Sequence, residues 1–520
     1  MKVLFSTQGE SLRLFNALLN SFAQRLPVGR AGFTVADSFF YDQWLKEEPD
    51  FEKRGHVVLK EWEVTAIGEQ KPDLAKLARY EAMLGGEAGL FGAIVADRRL
   101  LMGPDCTYSQ DYRRRFSDDQ LLCILQKGLE ETERLFDELE PDVVVGFICV
   151  TMLDYLVYLF ARARGVRYFN LSPTRIGDRI SLVSTLNDPS PELSGSFARI
   201  LKTAQSPHMD LARRYLKRVR EEHARYEGVV CPSDKPALKL DAKKLSKVDD
   251  LLRVAASYRK YRCSAAASDN HVPDPARMRF FSWVRNPLLA KKVRKYLQPR
   301  YVTAEHLAKT KYVFFPLHTE PEVSLLVYGR PYLNQTEIIR MLALSLPVDT
   351  VLVVKEHPWM VGKRSLKSYA KMLEIPRVRL ADPRLEARVL IQGASLVSVV
   401  TGSVGLEAAM LGKPVLTFGD CPFNLLPMVR RCEDPRRLQS IIREMLERTV
   451  DDEAALESYV SAVYETSESV SLYSVLLNKK NVHTERGVTG YRDEVDKLSA
   501  FLHSLLAESP SQQTDGAAAW

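Results

Sequence analysis

At 520 residues the chain exceeds the size at which one hydrophobic core stops growing, so two or three domains are expected. A hydrophobic share of 46% and a charged share of 27% exclude a disordered or fibrous chain, and the mild net charge of +7 fits anionic substrates, an anionic membrane surface or neither. The cysteines (Cys106, Cys123, Cys149, Cys231, Cys263, Cys421 and Cys432) are scattered, odd in number and never spaced as CxxC, which argues against a disulfide framework or a zinc site and for a reducing, cytoplasmic compartment.

The opening MKVLFSTQGESLRLF has no signal-peptide apolar region, and no uninterrupted apolar stretch of about 18 residues suggests a membrane-spanning helix. Val3 to Ser6 reads as a short strand, followed by a polar loop and a helix from Leu12 to Arg25, the usual opening of an α/β domain. A long amphipathic helix then leads through Glu140-Pro141-Asp142 into a strand over Val143 to Ile148. A helix from Met152 to Arg164, closed by Gly165, precedes a strand over Val166 to Leu171. Helix and strand in such quick succession predict βαβ crossovers and a parallel sheet, so residues 1–187 read as a Rossmann-like domain.

Residues 188–310 change in texture to Pro- and Ser-rich loops between charged helical patterns, as in a helical insertion or inter-domain region. Regular alternation resumes at Lys311 with the strand YVFFPL, the helix EIIRMLALSL and the strand TVLVVKEH, then the strand-like VRLAD and the helix RLEARVLIQGA. The strand LVSVV, the helix VGLEAAMLG and the strand PVLTFG complete it, which predicts a second Rossmann-like domain over 311–450. Helices are expected over 451–508 and a disordered tail over 509–520.

The densest chemical cluster is Val400-Thr401-Gly402-Ser403-Val404-Gly405-Leu406-Glu407, which follows a strand and opens a helix. Its glycines allow a sharp turn, its hydroxyls can donate, and the free N–H groups at the helix start favour an anion. It therefore reads as a phosphate cradle, with an N-cap at Ser403 and packing glycines as the plainer alternative. Lys355-Glu356-His357-Pro358 ends another strand, where open parallel sheets place their ligand crevice. As an imidazolium, His357 could stabilise a nucleotide leaving group or protonate it; the alternative is a structural residue. Glu407, one turn into the helix, can point back toward a ribose or simply complement the helix dipole. The loop Pro316-Leu317-His318-Thr319-Glu320-Pro321-Glu322 follows the domain's first strand and can line a cleft, placing His318, Glu320 and Glu322 beside it.

The stretch from about Lys311 to Asn424, with FFPLHTEPE, VVKEHP and VVTGSVGLEAAMLGKPVLTFG, resembles the C-terminal half of bacterial capsule and surface polysaccharide biosynthesis transferases. It is similar to the family that includes the Kdo transferases, and more distantly to bacterial sialyltransferases. The resemblance implies a GT-B-like α/β fold with two Rossmann-like domains facing a cleft, and a metal-independent enzyme with no cofactor beyond its nucleotide-sugar donor. It also implies that His357 and Pro358 match an HP motif and that Thr401 and Ser403 match a hydroxyl motif, both binding the CMP part of a CMP-activated sugar. Here the second motif reads Thr-Gly-Ser where the family has adjacent serines. By the same resemblance the donor site comprises Lys355, Glu356, Pro358, Thr401, Gly402, Ser403, Gly405 and Glu407 around His357.

The acceptor, a glycan or a lipid-linked glycan, is then expected on the N-terminal side, where Arg175 follows the strand ending at Leu171. An inverting transferase needs a carboxylate base, and Asp97, Asp105, Asp154 and Asp178 compete, with Asp97 ranked first for its Arg-flanked loop setting. Arg277 to Arg300 carries eight Lys or Arg residues beside Phe280, Phe281 and Trp283, which suits peripheral contact with an anionic membrane or a solvated helical connector. No nucleic-acid motif accompanies it. A sugar-nucleotide 2-epimerase of the same architecture and a non-catalytic assembly or export protein are the competing functions.

Overall fold

The computed structural model describes residues 1–66, 70–85, 89–102, 116–229, 255, 256, 258, 259, 281–447, 452–479, 482–484 and 489–507. Pro104-Asp105, the segment Arg277 to Phe280 and the tail 509–520 lie outside the described residues.

In chain order the first strands are β1 (Lys2–Thr7), β2 (Arg30–Val35), β3 (Val57–Lys60), β4 (Val143–Phe147), β5 (Arg167–Pro173) and β6 (Arg179–Val183). A second set comprises β7 (Tyr301–Val302), β8 (Tyr312–Pro316), β9 (Val351–Lys355), β10 (Val378–Ala381), β11 (Leu396–Val399), β12 (Val415–Thr417) and β13 (Val429–Arg431), and the chain ends its strands with β14 (Ser467–Ser469). They form two seven-stranded sheets, ordered β14-β6-β5-β4-β1-β2-β3 and β13-β12-β11-β8-β9-β10-β7. The second sheet is parallel throughout; in the first, β6 alone runs antiparallel to its neighbours β5 and β14. Near-continuous apolar runs such as Val3-Leu4-Phe5 and Val313-Phe314-Phe315 explain this, because a parallel strand is covered by helices on both faces. The mixed α/β architecture with two parallel-sheet domains is the expected fold class.

The helices that matter here are α1 (Ser11–Phe22), α2 (Asp118–Leu139), α3 (Met152–Ala163), α4 (Pro191–Thr203), α5 (Met209–Glu221), α6 (Asn286–Leu297), α7 (Ser403–Met410), α8 (Glu453–Glu465) and α9 (Tyr491–Ala507). Ser117 with Gln120 and Thr151 with Asp154 form capping boxes that start α2 and α3 where the chain leaves loops. From the region read as an insertion, α4 and α5 contribute Phe197, Ile200, Tyr215 and Leu216 to one core with Phe314 and Val399 of the second sheet and Tyr459 of α8.

After α8 the chain returns to the first sheet. β14 pairs with β6, and Arg179 fixes that junction by donating to Ser467 Oγ at 2.7 Å and to the Tyr464 carbonyl at 3.0 Å. Val495, Leu498 and Leu502 of α9 then join Leu12, Phe15 and Leu18 of α1 in a single core. The region expected as helices alone thus also supplies an edge strand. Its sequence Ser-Glu-Ser is too short and polar to read as one, because an edge strand needs no apolar run.

Candidate functional site

Three loops leave the carboxyl ends of β8, β9 and β11, where strand order reverses between β8 and β11 and a doubly wound sheet opens its crevice. They carry His318, His357 and the Thr401-Gly402-Ser403 turn.

Arg364 lies behind them, fully buried, with Nη1 3.2 Å from Glu320 and Nε 2.5 Å from Glu356. Tyr369 Oη donates to Glu356 at 2.7 Å, Gln335 Nε2 donates to Glu320, and Gln335 Oε1 accepts from the His318 backbone N–H at 2.7 Å. Glu320 and Glu356, expected to touch substrate, are therefore consumed in tying the β8 and β9 loops together. Their side chains are 1% and 4% exposed, so they support the site from beneath.

His318 packs against the turn after β11: its Nε2 accepts the Thr401 N–H at 3.4 Å, and a Cβ on Gly402 would stand 3.2 Å from its ring. His357 caps the short turn Pro358–Met360, with Nδ1 accepting the Trp359 N–H at 3.3 Å, which leaves Nε2 as the protonated nitrogen of the neutral ring. Burial, reinforced by Lys355 and Lys363, lowers the His357 pKa to about 4, and burial with His357 nearby lowers His318 to about 4. His357 was expected to act as an imidazolium; in the free protein the lowered pKa favours the neutral ring, with its Nε2–H available to donate. Lys355, also lowered by burial, ends β9 beside it.

The Thr401 hydroxyl donates to the Ser324 carbonyl at 2.8 Å, bracing the turn. Gly405 lets α7 lie close to β11, since a Cβ there would come within 2.9 Å of Phe423 and Val399. Ser403 Oγ faces the cleft and lies 2.9 Å from Tyr226 Oη. Glu407 is half-buried, 3.9 Å from Arg388, and burial raises its pKa.

On the other side of the cleft, Arg175 adopts a left-handed backbone (φ 64°) and sets its guanidinium 5.5 Å from the Tyr226 ring centre. Glu322 and Asp188 face this charge. Burial raises Glu322, with Arg175 and Arg98 pulling it down, and burial with Asp420 raises Asp188 to about 7 against the pull of Arg175. Asp97, expected as the base, is 0% exposed; it accepts from the backbone N–H groups of Arg99 at 2.9 Å, Leu100 at 3.3 Å and Met152 at 3.3 Å. It is a buried cap that fixes the start of α3. Asp154 and Asp178 are likewise buried, accepting from Ser6 Oγ at 2.5 Å and Ser469 Oγ at 2.9 Å. Sequence reading missed Asp188 and Tyr226: neither sits in a motif, and only the β5–β6 hairpin and the crossing after α5 bring them to the cleft. Among the described residues no group of three or more His, Cys, Asp or Glu is arranged to hold a metal ion, and no helix is long and apolar enough to cross a membrane.

Residues 231–432 match the model of a family described as "Capsule polysaccharide biosynthesis protein". Protein FixF of Sinorhizobium fredii (strain NBRC 101917 / NGR234) is 30% identical over 134 residues, 25% of this chain; the chain spans about a third (32%) of that curated relative. Among solved structures, the beta Kdo 2,4 transferase of Thermosulfurimonas dismutans KpsC has 15% identity and a TM-score of 0.34, covering 62% of this chain and 79% of its own. A UDP-GlcNAc 2-epimerase from Neisseria meningitidis bound to UDP-GlcNAc has 13% identity and a TM-score of 0.28, covering 90% and 99%. The family match spans His318, His357, Thr401 and Ser403 and meets the resemblance read from those motifs.

Replacing Arg364 with Met would leave Glu320 and Glu356 buried without their cation, an expected loss of about 3–5 kcal/mol that urea unfolding would register. The two histidines set a second expectation. The unfolded chain protonates them near 6.5 and the folded chain only near 4, so they withdraw stability as pH falls through that window. Imidazole proton NMR should give midpoints near 4 for both in the free protein; midpoints near 6.5 would contradict this lowering.

Proposed function

We propose that the chain is a glycosyltransferase that moves a sugar from a nucleotide-activated donor, CMP-Kdo or a related CMP-sugar, onto a glycan or lipid-linked acceptor in capsule or surface polysaccharide assembly. The observation that carries this reading is the convergence of the HP turn after β9 and the Thr-Gly-Ser turn after β11 on one crevice, inside the segment that matches the capsule biosynthesis family.

In the reaction proposed, the donor phosphate sits at the start of α7, where the backbone dipole and the Ser403 hydroxyl offset its charge. His357 Nε2–H and Lys355 approach from β9. The acceptor hydroxyl attacks the anomeric carbon, the bond from that carbon to the phosphate oxygen breaks, and the nucleoside phosphate leaves with the bonding pair. The acceptor's proton passes to a cleft carboxylate, Glu322 or Asp188, whose raised pKa suits a base working near neutrality. Glu407, near the first turn of α7, is placed to hold a ribose hydroxyl. We assign inversion of configuration to this single displacement.

An acceptor held at a membrane surface fits α6. Ala290, Val293 and Leu297 turn inward, while Lys291, Lys292, Arg294 and Lys295 are exposed together with Leu288.

Thermal-shift measurements with CMP, CDP, UDP and GDP and their common sugar conjugates test the donor. Stabilisation by CMP compounds that is lost in His357→Ala is expected, along with a fall in turnover far larger than any fall in stability. Stabilisation by UDP or GDP alone would move the donor class, and none with any nucleotide would overturn the reading. Charge reversal at Lys291, Lys292, Arg294 and Lys295 should release the protein from anionic liposomes; undiminished binding would end the membrane assignment.

A further inference from the structure

The segment after α5 crosses the cleft in a particular way. The Glu227 carboxylate accepts the backbone N–H groups of Ser474 at 2.8 Å and Tyr473 at 3.2 Å, and its own N–H donates to the Gly177 carbonyl at 2.8 Å. Gly228 donates to the His483 carbonyl at 3.1 Å and adopts φ 93°, with the Tyr473 ring filling the space a side chain would need. All of these anchors belong to the half of the molecule built on the first sheet. Yet the neighbouring Tyr226 reaches across to the second sheet, its hydroxyl 2.9 Å from Ser403 Oγ, with the Arg175 guanidinium over its ring. The half-buried Tyr226 phenol is thus fixed by the anchors beside it, with its hydroxyl meeting a serine hydroxyl at the mouth of the cleft. Two hydroxyls meet at one point from opposite sides, and a guanidinium stands over the ring that carries one of them.

We infer that Tyr226 and Arg175 are donor-binding residues that complete the phosphate site from the first sheet's side. This rests on the donor-site reading above and adds to it. In the free protein the Tyr226 and Ser403 hydroxyls satisfy one another. A phosphate monoester or diester entering between them accepts a hydrogen bond from each, and Arg175 supplies the positive charge opposite His357 and Lys355. The nucleotide phosphate thereby becomes the link between the two halves of the molecule. Two consequences follow: the affinity for the phosphate depends on a residue outside the second sheet's domain, and the nucleoside portion does not.

The experiment is calorimetric titration of the full chain and of Tyr226→Phe with CMP, UDP and GDP, and with cytidine, uridine and guanosine. Tyr226→Phe removes one oxygen atom and keeps the ring under Arg175, so the ligand-free melting temperature serves as its folding control. For whichever nucleotide binds the wild type, the variant is expected to bind about tenfold more weakly, the effect of one hydrogen bond to a charged group, while the parent nucleoside binds both proteins equally. Arg175→Lys should weaken the nucleotide in the same direction. Equal nucleotide affinity in wild type and Tyr226→Phe would overturn the inference and leave the donor reading standing, as would an equal loss for nucleoside and nucleotide. Failure of all three nucleotides to bind the wild type would overturn the donor reading, and this inference with it.

Discussion

The site hangs on one buried cation. Arg364 has no exposed surface, and it holds Glu320 of the β8 loop and Glu356 of the β9 loop at the same time. Burying three charges is costly unless every partner is in place, so the arrangement tolerates only one relative position of the two loops. That position sets His318 against the Gly402 turn and His357 over the mouth of the crevice. The glycines of the third loop answer the same demand. Gly402 makes room for the His318 ring, and Gly405 lets α7 settle onto β11. Precision at the surface is thus bought by charge in the interior.

The enclosure built this way also sets the chemistry. His318 is buried where charge is opposed, and the exposed His357 ring stands beside the positive charges of Lys355 and Lys363, so both imidazoles favour the neutral form. An arriving phosphate changes that balance, because an anion beside His357 favours its protonated form. Charge on the protein then grows as charge on the ligand arrives. Across the cleft the logic runs the other way: Asp188 and Glu322, crowded by burial, hold protons more tightly than free carboxyls do, with Arg175 limiting the rise.

Much of this architecture was legible in the chain. The strands that reveal it, such as Val143–Phe147 and Val351–Lys355, are short apolar runs buried on both faces, which stand out between the helical patterns. β7 and β14, two and three residues long, carry no such signal. Within the site, His357 and Ser403 were readable because strand ends and helix starts fix where side chains go. Glu320, Glu356 and Asp97 misled for a common reason: an acidic residue in a loop looks solvent-facing until tertiary structure supplies Arg364, or the backbone N–H groups of Arg99 and Met152, to bury it. Asp188 and Tyr226 were invisible for the opposite reason, since their placement depends on how distant segments cross.

The return of the chain to its first sheet bears on the order in which the molecule can be made. α1 precedes α9 by more than 450 residues, yet the apolar face formed by Leu12, Phe15 and Leu18 shares its core with Val495, Leu498 and Leu502. The edge at β6 waits similarly for Ser467–Ser469. On the ribosome, the second sheet has all its strands by Arg431, while the first domain remains uncapped until α9 emerges. The half that holds α1 is therefore completed only after the whole second sheet, and its nascent form carries a bare apolar stripe while that sheet is made.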